Sequence, residues 1–259
     1  MQMATRTHQC LDQGRTAFGG AATINSPAST EHLVANTDLD FIVVDMQHTP
    51  VTAAAAAHLL RAVQAADPNI TPFVRLPNHD VYWIQQTLDA GYLGLVIPLC
   101  ESADQARAMV EATYFPPRGA RSAAGAIRAS LYDDYFDRIN DQVILLPQIE
   151  SAKGLEQVEA IVAVDGVSGV LIGPLDLSLS CGWAGEDLWS FDPFLAAVGR
   201  IRSACQSQNK YMSTLIGAAE VPRAIQHGVQ LMSVVAESVH ISKSMTSQVN
   251  ELVQTMRGQ

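Results

Sequence analysis

The chain has 259 residues and carries 26 acidic against 16 basic side chains, which gives a formal net charge of -10 at pH 7. Hydrophobic residues make up 48% of the sequence and charged residues 16%, a composition typical of a folded globular protein that excludes a disordered or fibrous chain. The net charge disfavours a general nucleic-acid binder, because nucleic-acid phosphates would repel it.

Cysteine spacing and hydropathy indicate the cellular environment. The sequence has four widely spaced cysteines, none in a CxxC pair: Cys10, Cys100, Cys181 and Cys205. This spacing disfavours a disulfide scaffold or a thiolate zinc site. Residues 1–14 are polar, and no stretch approaches the roughly 18 apolar residues of a membrane-spanning helix. We therefore expect a soluble, cytoplasmic protein with no membrane partner.

Short β-branched segments alternate along the chain with longer helix-like stretches. Most of these segments lack a strict apolar-polar alternation, which is typical of strands buried on both faces of a parallel sheet. The eight predicted strands are residues 17–25, 41–45, 72–76, 94–99, 143–150, 168–173, 211–217 and 231–237.

Helical patterns between the strands begin at residues that commonly cap helices. The five predicted N-terminal caps are Thr52, Asp80, Ser102, Ser151 and Asp192. Pro193 then occupies the first helical position, where its missing N–H costs nothing. A short helix is predicted over 219–226, ending before Gly228, and a final helix over about 239–256.

Eight strands, each followed by a helix, predict an α/β fold: a single (β/α)8 TIM barrel over residues 1–259, with 1–13 as an N-terminal extension. A doubly wound open sheet is the alternative. It more often has about five to seven strands and a glycine-rich first turn, and no GxGxxG or GxxxxGK[ST] motif occurs. The longest irregular segment, 115–131, is expected to serve function or an interface.

Catalytic groups of a TIM barrel lie at the C-terminal ends of its strands. Applied to this sequence, the rule selects polar residues at the ends of four strands. They are Asp45, Gln47, His48, Arg75, Gln148, Glu150 and Asp176. We expect these side chains to converge on one mouth of the barrel.

Glu150 and Asp176 would be two carboxylates on neighbouring strands. They repel each other unless a cation or a shared proton neutralises them. Oxygen ligands of this kind suit a hard divalent ion such as Mg2+ or Mn2+. The alternative is that each carboxylate caps a helix or pairs with a surface base.

Arg75 and His48 also have two interpretations each. A buried Arg75 needs an anionic partner, which is either a bound carboxylate or enolate oxygen, or an acid of the protein such as Glu150. His48 directly follows a buried strand and is a candidate proton carrier, although a lone histidine is more often structural. The turn over 173–178, GPLDLS, either presents N–H groups to a ligand carboxylate or is an ordinary strand-to-helix turn.

Taken in order, six segments resemble the HpcH/HpaI aldolase family of metal-dependent class II pyruvate aldolases, which includes 2-dehydro-3-deoxyglucarate aldolase and macrophomate synthase. The ordered set is specific, and the resemblance covers roughly residues 14–256. The segments are DFIVVDMQHTP (40–50), FVRLPN (73–78), IQQTLDAGYLGLVIPLCESADQA (84–106), TYFPPRGARS (113–122), LLPQIES (145–151) and DGVSGVLIGPLDLSLSCGWAGE (165–186).

The resemblance implies a modified (β/α)8 barrel in a hexamer of dimers, in which neighbouring subunits exchange a C-terminal helix. It implies a divalent metal ion, Mg2+ or Mn2+ with Co2+ possible, held by Glu150 and Asp176. The family's substrate-binding arginine falls on Arg75. Its acid/base histidine falls on His48, supported by Asp89, often across a subunit boundary.

The resemblance also implies how substrate is bound. Backbone amides of the 173–176 turn would take the carboxylate of pyruvate, and the end of strand seven, with the 115–131 loop, would shape the acceptor pocket. The implied substrate-binding residues are Arg75, Gln148, Gly173, Pro174, Leu175 and Leu215.

Two positions depart from the family pattern. Gln47 stands where a glutamate is common, so one acidic neighbour of the metal or of His48 is lost, which alters the tuning of proton transfer. Ser122 replaces a more usual glycine after Arg121, which would reshape the loop over the substrate.

The implied reaction is the formation or cleavage of 4-hydroxy-2-oxo acids through a metal-stabilised pyruvate enolate, with a 2-oxo acid (pyruvate or oxaloacetate) and an aldehyde as partners. A Schiff base is not expected, because none of the three lysines, Lys153, Lys210 and Lys243, is well placed. One alternative is an oxaloacetate decarboxylase or a macrophomate-synthase-like enzyme that uses the same enolate. The other is a non-catalytic binding barrel, supported only by Gln47.

Overall fold

The computed structural model describes residues 5–123, 127–131 and 133–257. Within these ranges eight parallel strands form a closed barrel, in which each strand pairs with the next and the eighth pairs with the first. The strands are β1 Ala17–Ala22, β2 Phe41–Asp45, β3 Thr71–Arg75, β4 Gly94–Ile97, β5 Ile144–Ile149, β6 Gly169–Ile172, β7 Tyr211–Leu215 and β8 Leu231–Ala236. The predicted TIM barrel is confirmed, with every predicted strand present.

Helices surround the barrel. They are α1 Arg6–Asp12, α2 Pro27–Ala35, α3 Ala53–Ala66, α4 Val81–Ala90, α5 Ala103–Thr113, α6 Tyr135–Gln142, α7 Ala152–Glu156, α8 Val158–Val162, α9 Pro174–Ser180, α10 Asp192–Ser207, α11 Val221–Gln226 and α12 Glu237–Arg257. Short 3-10 helices cover Ile127–Leu131, Leu188–Ser190 and Ala218–Glu220. Sequence patterns did not predict α1, α2, α6 or α9. For α2 the signal was present, because Ser26 caps the helix and Pro27 opens it.

Four of the five predicted caps are confirmed, since the side chains of Thr52, Asp80, Ser102 and Ser151 each accept a hydrogen bond from a backbone N–H in the first turn. The prediction for Asp192 was wrong. The helix begins at Asp192 itself, one residue earlier than expected, and Phe191 is the cap without a side-chain bond. The Asp192 carboxylate still lies in the first turn, where the helix dipole favours negative charge.

The interior of the barrel is filled by side chains and closed at its N-terminal end. Phe41 and Phe73 meet inside the barrel with ring centroids 5.2 Å apart. Gly94 makes this possible, because a Cβ there would lie 2.1 Å from Cδ1 of Phe73. Helix α1 packs Cys10 and Leu11 into the same apolar cluster. This end of the barrel is therefore a packed plug.

Helix α12 differs from the rest of the fold because it packs on the barrel only at its beginning. From Ser238 to Arg257 almost every side chain is exposed. These exposed positions include an apolar stripe at helical spacing: Ile241, Met245, Val249, Leu252 and Met256. No helix of the described residues is both long enough and apolar enough to cross a membrane.

Candidate active site

A cavity of about 550 Å³ opens at the C-terminal ends of the strands. Its floor is formed by side chains from the barrel interior, among them Val43, Asp45, Arg75 and Leu215. This is the end of a TIM barrel where active sites lie. The structure thus places two residues predicted for the site, Arg75 and Leu215, in one cavity.

Asp45, which is buried, and Arg75, which is partly exposed, form a bidentate ion pair on the cavity floor. Arg75 Nε donates to Asp45 Oδ1 at 2.9 Å, and an Nη atom donates to Oδ2 at 2.7 Å. The Gln47 backbone N–H also donates to Asp45 Oδ1, at 3.0 Å. A guanidinium has five N–H donors and Asp45 takes two of them, so three remain for a ligand. The acid that partners Arg75, left open by the sequence, is Asp45.

Glu150 lies directly after β5 and is buried. Its Oε1 accepts a hydrogen bond from the Leu99 N–H at 2.8 Å, and its Oε2 accepts one from Gln148 Nε2 at 2.5 Å. Burial raises the pKa of Glu150, and the nearby Asp176 carboxylate raises it further, against the opposing effects of the Leu99 N–H and the Arg75 charge. The structure therefore brings together the two carboxylates that the sequence predicted as neighbours, with Arg75 close by.

Leu99 adopts a backbone conformation that is unusual for leucine. Its φ is 55°, in the left-handed region, and its side chain is 53% exposed. That conformation points the Leu99 N–H at Glu150, and strained backbone of this kind tends to cluster at functional sites. Sequence reasoning missed Leu99, because no local signal marks a leucine for this conformation.

Gly173 allows two chain segments to approach closely at the end of β6. A Cβ at this position would lie 2.8 Å from Glu150 Cβ and 2.8 Å from Gln148 Nε2. The first turn of α9 can therefore lie against Glu150, with Asp176 exposed at the mouth. A side chain at position 173 would clash with Glu150, so glycine there allows Asp176 to lie close to Glu150.

The turn at the start of α9 has fewer free donors than the sequence suggested. The Gly173 N–H already donates to the Ile149 carbonyl at 3.1 Å, and Pro174 has no N–H. The donors left to a ligand carboxylate are the N–H groups of Leu175 and Asp176. The Leu175 side chain is 68% exposed, so only its backbone can serve the site.

Two amide side chains near the site have a buried oxygen without a hydrogen-bond partner in the structure. They are Gln47 and Gln148. Gln148 is buried beside Glu150, and which end of its amide is oxygen follows from the hydrogen-bond network. Buried polar atoms are normally paired, so these two oxygens mark places where a ligand or water belongs.

No hydrogen bond or ion pair of the described residues joins His48 to Asp89. His48 is exposed in the turn after β2 and lies outside the residues that line the cavity. Asp89, on α4, pairs with Arg121 at 2.6 Å, and the Arg121 side chain is 1% exposed with its guanidinium over the Phe115 ring. The described residues thus do not form the implied dyad of His48 and Asp89.

The segment predicted to cover the substrate, 115–131, is only partly described. Residues 124–126 lie outside the described ranges. In the described portion, Arg121 is buried and its ion pair with Asp89 holds this part of the segment against α4. Ser122, the second departure from the family pattern, is exposed.

Among the described residues, no cluster of three or more histidine, cysteine, aspartate or glutamate side chains could hold a metal ion. The candidate metal centre is thus a pair of carboxylates whose remaining positions would be filled by substrate and solvent, as is usual for Mg2+.

The closed parallel barrel, with two convergent carboxylates and a fixed arginine at its C-terminal face, defines a TIM-barrel protein with an enzyme-like site. The family model of the HpcH/HpaI aldolase/citrate lyase family matches residues 23–242. The chain belongs to this family.

Known relatives and structures agree with that assignment. The hydroxypyruvate/pyruvate aldolase of Paraburkholderia phytofirmans is 34% identical over 91% of this chain and 92% of its own length. The 2-dehydro-3,6-dideoxy-6-sulfogluconate aldolase of Pseudomonas putida is 31% identical over 92% of each. A solved HpcH/HpaI family protein from Burkholderia cenocepacia superimposes with a TM-score of 0.86 at 29% identity, covering 95% of this chain and 98% of the other.

Proposed function

We propose that the chain is a divalent-metal-dependent pyruvate aldolase, which forms and cleaves 4-hydroxy-2-oxo acids through the enolate of pyruvate. The observation that carries this proposal is the convergence of buried Glu150 with Asp176, beside an arginine already oriented by Asp45. Relatives that share most of their length with this chain are aldolases, which supports the reaction class.

The residues present fit a hard divalent cation. Glu150 and Asp176 supply oxygen donors. Burial raises the pKa of Glu150 and the Asp176 carboxylate raises it further, and a cation between the two carboxylates would relieve both effects. The absence of a side chain at Gly173 lets the first turn of α9, which carries Asp176, lie against Glu150. Mg2+ or Mn2+ suits this donor set, and Co2+ is also possible. When bound, the cation supplies Lewis-acid stabilisation of the enolate charge.

Arg75 contributes a fixed positive charge to the same chemistry. Because Asp45 holds the guanidinium by two hydrogen bonds, its remaining donors are oriented before substrate arrives. They would bind the keto or carboxylate oxygen of pyruvate as negative charge develops. The second N–H of Gln148 Nε2 and the Leu175 N–H would donate to the other oxygens of the 2-oxo acid, and Leu215 would lie beside the acceptor.

Proton transfer is assigned to His48, steadied by Asp89 of a neighbouring subunit. This part of the proposal places the dyad in an oligomer, because no hydrogen bond or ion pair of the described residues joins the two side chains. The apolar stripe on α12 supports it, since exposed apolar residues at helical spacing mark a surface that another subunit covers. The hexamer with exchanged C-terminal helices, which the family resemblance implies, is our proposal for that assembly, and sedimentation velocity tests it.

The test of the proposed function is release of pyruvate from 4-hydroxy-2-oxopentanoate, measured by a coupled reduction of pyruvate. The metal-free protein should be inactive, and activity should return on addition of Mg2+, Mn2+ or Co2+. Full activity in excess chelator would refute metal dependence. Release of pyruvate from oxaloacetate but not from the hydroxy acid would identify a decarboxylase instead.

A further inference from the structure

The outer part of the cavity is lined by helix α12, which sequence reasoning did not connect with the site. Val239, His240 and Lys243 all border the cavity. His240 and Lys243 are three residues apart, so they share one face of the helix. His240 Nδ1 is fixed at 2.9 Å from the Ala236 carbonyl one turn earlier. The first turns of α12 therefore form a polar rim above the apolar walls.

Lys243 differs from the other two lysines of the chain because its charge has no partner within the described residues. Lys153 pairs with Glu101 at 3.2 Å. Lys210 donates to the Val162 and Val164 carbonyls at the end of α8. No hydrogen bond or ion pair of the described chain involves the Lys243 ammonium, although it borders a cavity.

The acidic residue of the rim does not neutralise Lys243. Glu220 lines the same cavity from the β7–α11 loop. Its carboxylate folds back over its own turn, where Oε2 lies 2.6 Å from the position that a Cβ on Gly217 would occupy. No ion pair joins the two, so the ammonium stays available to a ligand.

The cavity thus has cationic side chains at two depths: Arg75, whose charge is paired with Asp45, and Lys243, whose charge has no partner among the described residues. Arg75 lies on the floor, Ala21 and Val235 are among the walls, and Lys243 is at the rim. A volume of about 550 Å³ is within the usual range for a small-molecule site. A 2-oxo acid held by Arg75 would lie at this floor, and a molecule joined to it would extend along the walls and present its far end to Lys243.

We propose that Lys243 is a specificity-determining residue for the acceptor aldehyde, and that it favours acceptors whose far end carries an anionic group: a carboxylate, a sulfonate or a phosphate. This inference rests on the proposed function, because it concerns the second substrate of that reaction. His240 lies on the same face of α12 and borders the position that the anionic group of the acceptor would occupy.

The test compares two aldehydes of equal chain length, 4-oxobutanoate and butanal, as acceptors of pyruvate. Lys243→Gln should lower kcat/KM for the anionic aldehyde about fivefold, mainly through KM, and change kcat/KM for butanal less than twofold. Lys243→Arg should retain the preference of the wild type. Lys153→Gln removes the same charge outside the cavity and should leave the ratio of the two values unchanged.

An unchanged ratio in Lys243→Gln, or an equal loss for both aldehydes, would overturn the inference. The proposed function is judged separately, from the wild type alone: without acceptor it should exchange the methyl protons of pyruvate with deuterated solvent. Absence of that exchange defeats the proposed function, whereas exchange together with an unchanged acceptor ratio defeats only the role of Lys243.

Discussion

The two ends of the barrel contain side chains of different chemistry. At the N-terminal end, Phe41, Phe73 and Leu11 belong to one buried apolar cluster. At the C-terminal end lie an ion pair, Asp45–Arg75, whose carboxylate is buried, and a second buried carboxylate, Glu150. Burying such charges costs folding free energy unless partners are supplied. At this end Glu150 has a raised pKa, mainly because it is buried. The first end is a packed apolar plug, and the second holds the charged groups of the candidate site.

This division predicts that similar substitutions have different consequences at the two ends. Glycine-to-alanine changes offer a matched set, because three glycines of the barrel and its helices have very different surroundings. Gly173 lies against Glu150, Gly94 lies against Phe73, and a Cβ at Gly199 on α10 would meet nothing within 4 Å.

The largest effect is expected at the mouth. Gly173→Ala should lower kcat by about 100-fold or more, because the new methyl group must displace Glu150 and Gln148 from their positions. The variant should remain folded by circular dichroism. Gly199→Ala is the control and should keep wild-type kcat. Near-normal turnover in Gly173→Ala would show that the close approach is not needed.

The second prediction concerns the plug. Gly94→Ala should lower the free energy of unfolding by about 2 kcal/mol, because a Cβ would overlap the Phe73 ring inside a closed barrel. Urea denaturation measures this, and kcat of the folded fraction should stay close to that of the wild type. If Gly94→Ala instead lost much of its kcat and kept its stability, the proposed difference between the two ends would be wrong.

The smallest effect is a pH dependence at the N-terminal end. Burial lowers the pKa of His8 below its usual 6.5, and Asp12 only partly offsets this. Folding therefore favours the neutral imidazole, so His8 contributes stability above pH 6.5 that is lost as the pH falls through its lowered pKa. The stability difference between wild type and His8→Gln should shrink from about pH 8 to about pH 5. A difference that grows on acidification contradicts this sign.

The fold could be predicted because each strand is a short local run, such as FIVVD before Asp45, with its own signal in the sequence. The positions of Glu150, Asp176 and Arg75 followed from one general rule about barrel mouths. Contacts between distant segments could not be predicted in this way. The pairing of Asp45 with Arg75 depends on strand register, and the place of Lys243 depends on how α12 leaves the barrel.

The same limit applies to His48. Its position after β2 is local and was predicted, but its separation from Asp89 follows from the placement of α4 and its contact with Arg121. Sequence alone gave no means to distinguish a partner in the same chain from one in another subunit. Leu99 is a further case, because its left-handed backbone donates a hydrogen bond to the carboxylate of Glu150, a residue distant in sequence.

The most direct test of the carboxylate pair is deuterium exchange into the methyl group of pyruvate, followed by NMR with Mg2+ or Mn2+ present. Glu150→Ala and Asp176→Ala should each abolish the exchange while the protein stays folded. Glu101→Ala, which removes a nearby carboxylate bound to Lys153, should retain it. Exchange at the wild-type rate in both Glu150→Ala and Asp176→Ala would contradict the assignment of these residues as the metal ligands that stabilise the enolate.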